Sequence, residues 1–253
     1  MRFAEYIERK NCFAAFSDRL LQVAKDQGYN LEVAGADGHG NNIYRVILNP
    51  DGRDTVAFIG GIHGDEKAGP LAILNFLHHP PQTDFRVLLL PVVNPHGFSQ
   101  HIRRNAQNRD LNRNWCDDDL CDENKAIVKS LDGSVRFLAT LHEDSKAEGF
   151  YLYYSDTDRK PLYDKLVAMG KKIMPLKTKK TVYGDKLDRG LAQQDKLDLS
   201  RDKNRCCLET FFWKKGIPYL TVETPVNLPV EKRVLFQRRA MDFTLSHLAK
   251  KSG

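Results

Sequence analysis

Strand-like segments alternate with helical segments along this chain, and that alternation limits its fold more than any other feature. Apolar residues at helical spacing occur between the strand-like segments and near both ends of the chain. We therefore expect an α/β fold, in which a mixed, mostly parallel, twisted β-sheet carries helices on both faces. The clearest predicted strands are TVAFIGG (55–61), DFRVLLLPVVNP (84–95), VRFLATLHE (135–143) and IPYLTVETP (217–225).

Length and composition are consistent with one folded unit. The chain has 253 residues, 41% of them hydrophobic, which is enough to bury a sizeable core. No internal repeat or low-complexity linker divides it. We expect a single domain over residues 1–253, with an N-terminal helix at 1–28 as an appendage.

Charge and targeting signals bear on location and partners. The net charge of +6 is mild for this length and suits an anionic small substrate as well as nucleic acid. No apolar stretch approaches the roughly 20 residues that a membrane helix needs, and the charged N-terminus is unlike a signal peptide. The five cysteines form no CxxC pair, which favours reduced thiols. We expect a cytoplasmic protein that binds neither membranes nor nucleic acid.

Two histidines and a glutamate follow predicted strands. His63 and Glu66 lie in the glycine-lined segment GGIHGDE, and His142 ends the strand VRFLATLH. Because sites in α/β sheets form beyond the carboxyl ends of the strands, we expect these side chains to meet. Two histidines and a glutamate are a standard catalytic zinc set that leaves one position for water. The sequence therefore predicts a site for one Zn²⁺ ion.

A further carboxylate, Glu223, ends the predicted strand YLTVE at the same edge of the sheet. Bound zinc lowers the pKa of its water toward about 7, and a general base must still take the proton from that water. Glu223 is the candidate for this base. Glu143, next to His142, is a weaker candidate because strand alternation turns its side chain away from the metal.

The segment NPHGFSQHIRRNAQNRDLNRNW (94–115) is rich in arginine and asparagine. Arginine binds carboxylates bidentately, and asparagine adds a directional amide. The only aromatic residues in the segment are Phe98 and Trp115, so it lacks the interleaved stacking pattern that suits single-stranded nucleic acid. A substrate that carries a carboxylate fits the segment better.

Taken together, these segments resemble the M14 family of zinc carboxypeptidases, in a short bacterial-type form related to the succinylglutamate desuccinylase and aspartoacylase group. The resemblance implies a zinc carboxypeptidase-like catalytic domain that hydrolyses an amide bond next to a free carboxylate. A small peptide, such as a γ-glutamyl cell-wall fragment, would be its substrate. Five segments across residues 57–225 carry the resemblance: GGIHGDE, VVNPHGF, RRNAQNRDLNRNW, LHED and TVETP.

The resemblance also implies roles for individual residues. Glu223 matches the general base that activates water and later protonates the leaving amine. Arg103 matches the arginine that polarises the scissile carbonyl and holds the oxyanion. Asn112 and Arg113 match the pair that grips the terminal carboxylate of the substrate. The zinc ligands are His63, Glu66 and His142.

Some positions depart from the family pattern. Asp65 stands where larger members carry an arginine before the glutamate ligand, which predicts different substrate subsites. No motif matches the mobile tyrosine of the family, although Tyr183 is a weak candidate. The residue that sets side-chain preference is expected within 175–210.

Three alternative functions stay open at this point. An N-acyl amino acid deacylase of the desuccinylase and aspartoacylase type is compatible with GGIHGDE and DLNR, and would make an acyl amino acid the substrate. A non-catalytic carboxylate-binding protein could keep the same fold and pocket. Nucleic-acid binding has only the sequence pI of about 9.0 in its favour. No feature of the sequence indicates an oligomeric state.

Overall fold

The computed structural model of this protein describes residue 6 and residues 12–113, 115, 119–131, 133–194 and 206–250. Ten strands are found in that part of the chain: β1 (Asn30–Ala36), β2 (Asn42–Leu48), β3 (Thr55–Gly60), β4 (Arg86–Leu90), β5 (Val135–Asp144), β6 (Tyr151–Tyr154), β7 (Thr181–Val182), β8 (Asp185–Lys186), β9 (Leu191–Gln193) and β10 (Tyr219–Pro225). The described helices are α1 (Cys12–Gln27), α2 (Ala68–His78), α3 (Pro95–Gln100), α4 (Asp122–Ser130), α5 (Lys160–Gly170), α6 (Leu208–Trp213) and α7 (Val230–Lys250).

Eight strands form one mixed sheet in the order β1-β2-β4-β3-β5-β10-β6-β9, while β7 and β8 form a separate hairpin. The four central strands, β4, β3, β5 and β10, are parallel to one another. The strands β2 and β6 flank them in antiparallel pairing. The predicted mixed α/β sheet is confirmed, and its parallel centre brings several carboxyl ends to one edge.

Side-chain alternation along β3 builds a core on each face of the sheet. Val56 and Phe58 pack into one buried cluster, whereas Ala57 and Ile59 pack into the other. Every residue of β3 is buried, as expected for a strand covered on both faces. The first cluster includes side chains of α1, α2, α5 and α7, and the second includes side chains of α4 and α6.

The described part of the N-terminal helix, α1, packs against the body of the protein. Its side chains Phe16 and Leu20 are almost completely buried in the first core cluster. Cys12, at the start of α1, contacts the buried ammonium group of Lys67, with Sγ and Nζ 3.6 Å apart. That ammonium lies 3.6 Å from the centre of the Phe98 ring and also donates to the Phe98 carbonyl. The helix therefore covers side chains of the loop before α2 and of α3.

The short helix α3 lies within the segment 94–115, which is rich in arginine and asparagine. The sequence did not predict a helix there. The Asn94 side chain accepts a hydrogen bond from Gly97 N at 2.8 Å, which caps the helix, and Pro95 occupies its first turn. Six residues are too few to show helical periodicity, which explains why the sequence pattern gave no sign of it.

One cysteine differs from the expectation of reduced thiols. Cys206 is disulfide-bonded, whereas Cys12, Cys121 and Cys207 are free. Within the described residues, no helix is both long and apolar enough to cross a membrane.

Candidate metal centre and active-site cavity

Three chain segments bring the predicted metal-binding side chains together at the carboxyl edge of the sheet. His63 and Glu66 lie in the loop between β3 and α2, and His142 lies near the end of β5. One potential ligand atom from each residue lies within 4.8 Å of the others. The described part of the chain contains no other group of three such residues.

The two imidazoles face opposite oxygens of one carboxylate. Nδ1 of His63 lies 2.6 Å from Oε1 of Glu66, and Nδ1 of His142 lies 2.8 Å from Oε2. All three residues are buried, at 2–4% relative exposure. Two imidazole nitrogens and a carboxylate at this spacing are a donor set that suits a divalent zinc-like ion.

The pKa shifts of Glu66 and His142 show that this cluster favours positive charge. Burial by itself would raise the pKa of Glu66, but the neighbouring His63 and His142 outweigh it and hold that pKa far below its usual range. Burial by itself would lower the pKa of His142, but Glu66 opposes it and raises that pKa well above its usual value. The carboxylate of Glu66 therefore favours positive charge on the His142 ring beside it.

The loop that carries His63 makes close contact with α3. A Cβ atom added at Gly64 would lie 1.9 Å from the carbonyl carbon of Gly97, so only glycine fits there without a backbone shift. Gly61, just after β3, has φ of 60°, in the left-handed region that glycine tolerates best. These glycines allow a sharp turn of the loop after β3. The turn places the buried His63 side chain at the carboxyl edge of the sheet.

Asp110 and Arg103 extend the site on the side of His63. Nε2 of His63 lies 3.2 Å from Oδ1 of Asp110, and Nε of Arg103 donates to Oδ2 of Asp110 at 2.9 Å. Nη1 of Arg103 lies 3.5 Å from Oε1 of Glu66, while 39% of the arginine side chain stays exposed. Asp110 had no role in the sequence analysis, although it lies two residues before Asn112 in the specific motif DLNRNW.

Glu223 lies beside His142 in the sheet. The two residues are register partners on the parallel strands β10 and β5, and both line the cavity. Burial is the main cause that raises the pKa of Glu223, to about 8; His142 opposes the shift, and Glu66 and Asp144 add to it. A protonatable carboxyl group therefore stands next to the candidate metal ligands.

The Glu143 carboxylate contacts α2 and α7, on the face of β5 opposite to His142, as strand alternation predicted, although Glu143 also contributes to the lining of the cavity. Its carboxylate accepts a hydrogen bond from Ala68 N at 2.8 Å and forms a buried ion pair with Arg233. Each oxygen of the carboxylate therefore has a donor, one at the first turn of α2 and one on α7.

Asn112 and Arg113 both line the cavity. The Asn112 side chain is buried: its Oδ1 accepts from Leu208 N at 2.8 Å, and its Nδ2 donates to Oε2 of Glu209 at 3.3 Å. Arg113 is exposed and donates from Nη1 to the carbonyl of Asn112 at 2.8 Å. Its guanidinium is therefore available to a ligand in the cavity.

The cavity has a volume of about 540 Å³ and holds all seven predicted site residues in its wall. Asp144 forms part of a further wall, where its carboxylate accepts from Tyr151 OH and Tyr183 OH, both at 2.9 Å. Tyr183 thus reaches the cavity, from the turn between β7 and β8. The other described lining residues are Glu143, Ser145, Lys146, Tyr153, Asp185, Gln194, Cys207, Glu209 and Thr221.

The region expected to set side-chain preference is only partly described. Residues 175–194 contain β7, β8 and β9, and residues 206–210 lead into α6. Residues 195–205 lie outside the described part of the chain. The preference for substrate side chains therefore stays a prediction.

Comparison with known proteins supports an M14-like family. Residues 53–167 match the succinylglutamate desuccinylase/aspartoacylase catalytic domain. The carboxypeptidase SOL1 of Arabidopsis thaliana is 33% identical over 129 residues, which are 42% of this chain. The chain spans only about a quarter of that relative, 26% of its length.

Solved structures show the same fold at low sequence identity. A metallopeptidase from Shewanella amazonensis SB2B is 22% identical, with a TM-score of 0.78 and 92% of each chain covered. A metallo-carboxypeptidase from Burkholderia cenocepacia is 15% identical, with a TM-score of 0.71, covering 96% of this chain and 70% of its own. The predicted zinc carboxypeptidase-like fold is confirmed.

Proposed function

We propose that this protein is a zinc-dependent hydrolase, because part of its sequence is similar to M14-like proteins and because it has the zinc carboxypeptidase-like fold. The reaction is cleavage of an amide bond next to a free carboxylate, in a small peptide or peptide-like conjugate. The observation that carries this proposal is the meeting of His63, Glu66 and His142 next to Glu223 in one cavity.

His63, Glu66 and His142 are the residues that hold the metal in this proposal. A zinc ion held there would supply a Lewis acid, and would bring the pKa of an attacking water toward about 7. The donor set is buried, and the carboxylates of Asp110 and Glu209 lie 3.2 Å and 3.4 Å from the outer ring nitrogens of His63 and His142, an arrangement that orients histidine ligands.

Glu223 is the general base in this proposal. It accepts a proton from the attacking water and donates that proton to the leaving amine. Its raised pKa, about 8 without metal, suits a group that holds the transferred proton before delivering it. The adjacent strand pairing keeps its carboxyl group beside His142.

The cationic side chains of the cavity orient the substrate. Arg103 donates hydrogen bonds to the carbonyl oxygen as negative charge develops on it, because its guanidinium is fixed by Asp110 and partly exposed. Arg113 binds the free carboxylate, and Asn112 adds an amide donor. The net charge of +6 favours the approach of an anionic substrate.

The test compares turnover of peptides with free C-termini by the zinc-loaded wild type and by Glu223→Gln. We expect Glu223→Gln to keep its zinc and lose at least about 100-fold in kcat/KM. The control is Glu231→Gln, the same change at an exposed glutamate on α7. It should leave turnover unchanged. If Glu223→Gln retains wild-type turnover, the base assignment is wrong.

A second candidate is an N-acyl amino acid deacylase. The match of residues 53–167 to the desuccinylase/aspartoacylase catalytic domain favours it. N-acyl amino acids should therefore be assayed beside the peptides, at equal concentrations. Turnover of the acyl amino acids alone would replace the peptidase proposal, whereas full zinc occupancy without turnover of either class would favour a carboxylate-binding protein.

A further inference from the structure

The outer nitrogen of the His142 ring faces Glu209. Nδ1 of His142 is directed at Glu66, and Nε2 lies 3.4 Å from Oε1 of Glu209. The side chains of His142 and Glu209 are each only 3% exposed. The separation of Nε2 and Oε1 is an ion-pair distance, and within the described part of the chain the geometry makes no hydrogen bond at Nε2. A neutral imidazole carries one N–H, and the negative charge of Glu209 beside Nε2 favours the form with that N–H on Nε2, whose Nδ1 lone pair is free for a metal.

The second histidine of the cluster has an equivalent arrangement. Nε2 of His63 lies 3.2 Å from Oδ1 of Asp110, and its Nδ1 faces Glu66. Both imidazoles thus stand between the shared carboxylate of Glu66 and an outer carboxylate of their own. Outer carboxylates of this kind set the tautomer and orientation of metal-binding histidines.

Glu209 is itself held in place by two donors. The Thr140 hydroxyl donates to Oε1 at 2.6 Å, and the Asn112 amide donates to Oε2 at 3.3 Å. Thr140 lies two residues before His142 on the same face of β5. The carboxylate therefore has a fixed position relative to the ring it faces.

The contact with Asn112 joins the metal cluster to the substrate site. Oδ1 of Asn112 accepts from Leu208 N, so the Nδ2 group points to Glu209. Nδ2 carries two N–H bonds. One is directed at Glu209, and the other can reach a ligand in the cavity that Asn112 lines.

We infer that Glu209 is a positioning residue, which directs Nδ1 of His142 toward the metal and fixes the amide plane of Asn112 toward the substrate carboxylate. This inference rests on the proposed function, because it concerns the same metal and substrate. Glu209 also lines the cavity, but this inference gives it no direct contact with the metal or the substrate. It acts through His142 and Asn112.

The first test measures the zinc affinity of the full chain by competition with a chromophoric chelator. We expect Glu209→Gln to bind zinc about 10- to 100-fold more weakly than the wild type. Asp110→Asn, which removes the outer carboxylate of His63, should show a similar loss. Glu123→Gln is the matched control, because Glu123 is buried and accepts from the Asn105 amide, and its affinity should stay within twofold.

A second readout separates positioning from general destabilisation. Bound Co²⁺ reports ligand geometry in its visible spectrum, and Glu209→Gln should shift that spectrum whereas Glu123→Gln should not. In zinc-saturated protein, Glu209→Gln should also raise KM for a carboxylate substrate more than Glu123→Gln does. If Glu209→Gln does not fold, Glu209→Asp replaces it, because aspartate keeps the charge but has a shorter side chain. Glu209→Asp should then show a smaller loss of zinc affinity, a smaller spectral shift and a smaller rise in KM.

The outcomes distinguish this inference from the proposed function. A wild type that binds no zinc would overturn both. Wild-type zinc affinity and an unchanged Co²⁺ spectrum in the folded Glu209 variant, with a clear loss in Asp110→Asn, would overturn the inference alone.

Discussion

Glu223 and His142 face each other across adjacent parallel strands, as register partners in the pairing of β10 with β5. The candidate base and a candidate metal ligand are thus separated by one strand spacing, about 4.8 Å between backbones. Their closeness is set by hydrogen bonds of the central sheet rather than by a loop.

The raised pKa of Glu223 predicts a pH-dependent stability of the metal-free protein. The folded pKa, about 8, lies above the ordinary value of 4.5. The protonated carboxyl therefore stabilises the fold fully below pH 4.5, and this contribution is lost as the pH rises through 8. Glu223→Gln lacks this loss.

Urea unfolding in the presence of a chelator measures this effect. The stability of the wild type relative to Glu223→Gln should fall by at least about 1 kcal/mol between pH 5 and pH 9. A difference that is constant across that range would contradict the raised pKa.

Removal of the metal should lower the melting temperature, because an ion that binds only the folded state stabilises it. At a free zinc concentration 100 times the Kd, this stabilisation is about 2.7 kcal/mol. His63→Ala should lose this zinc-dependent shift, since it deletes one of the three donors. Differential scanning calorimetry with and without chelator measures this shift in melting temperature. The control is His39→Ala, at an exposed histidine, which should keep the full shift.

Arg113→Ala should weaken substrate binding more than it slows the chemical step. The guanidinium is exposed at the cavity and is proposed to bind the carboxylate in both ground and transition states. We expect KM to rise about 10- to 100-fold, with kcat reduced less. Steady-state kinetics provide the measurement, and a substrate whose carboxylate is amidated should lose this sensitivity. An equal effect on both substrates would argue against carboxylate binding by Arg113.

Gly64→Ala should destabilise the protein, because the added Cβ would lie 1.9 Å from the Gly97 backbone. The loop and α3 must then separate, at a cost of about 1–3 kcal/mol or more. Gly133→Ala is the matched control, since no heavy atom lies within 4 Å of its added Cβ. Chemical denaturation of both variants gives the comparison, and equal stabilities would mean that the close approach is absent in solution.

The positions of strand ends predicted, from the sequence alone, that the three candidate metal ligands lie close together. His63, His142 and Glu223 each follow an apolar run, and parallel strands deliver such positions to one edge. Strand alternation likewise predicted that Glu143 points to the face of β5 opposite to His142, where it pairs with Arg233.

The carboxylates beside the outer ring nitrogens, those of Asp110 and Glu209, could not be predicted from strand ends. Glu209 lies 97 residues from Asn112 in sequence, in a six-residue helix with no site motif. Its contact with His142 depends on how α6 packs against the sheet, which periodicity does not encode. The tyrosine hydrogen bonds of Asp144 also depend on the packing of distant segments.

The packing of α1 limits how far the protein can be shortened. Cys12 and Phe16 cover Lys67 and Phe98, and Lys67 directly follows Glu66 in the chain. A truncation that starts at Gly28 would expose a buried ammonium and an aromatic ring immediately behind the loop that carries His63 and Glu66. Affinity tags and minimal expression fragments should therefore leave α1 intact.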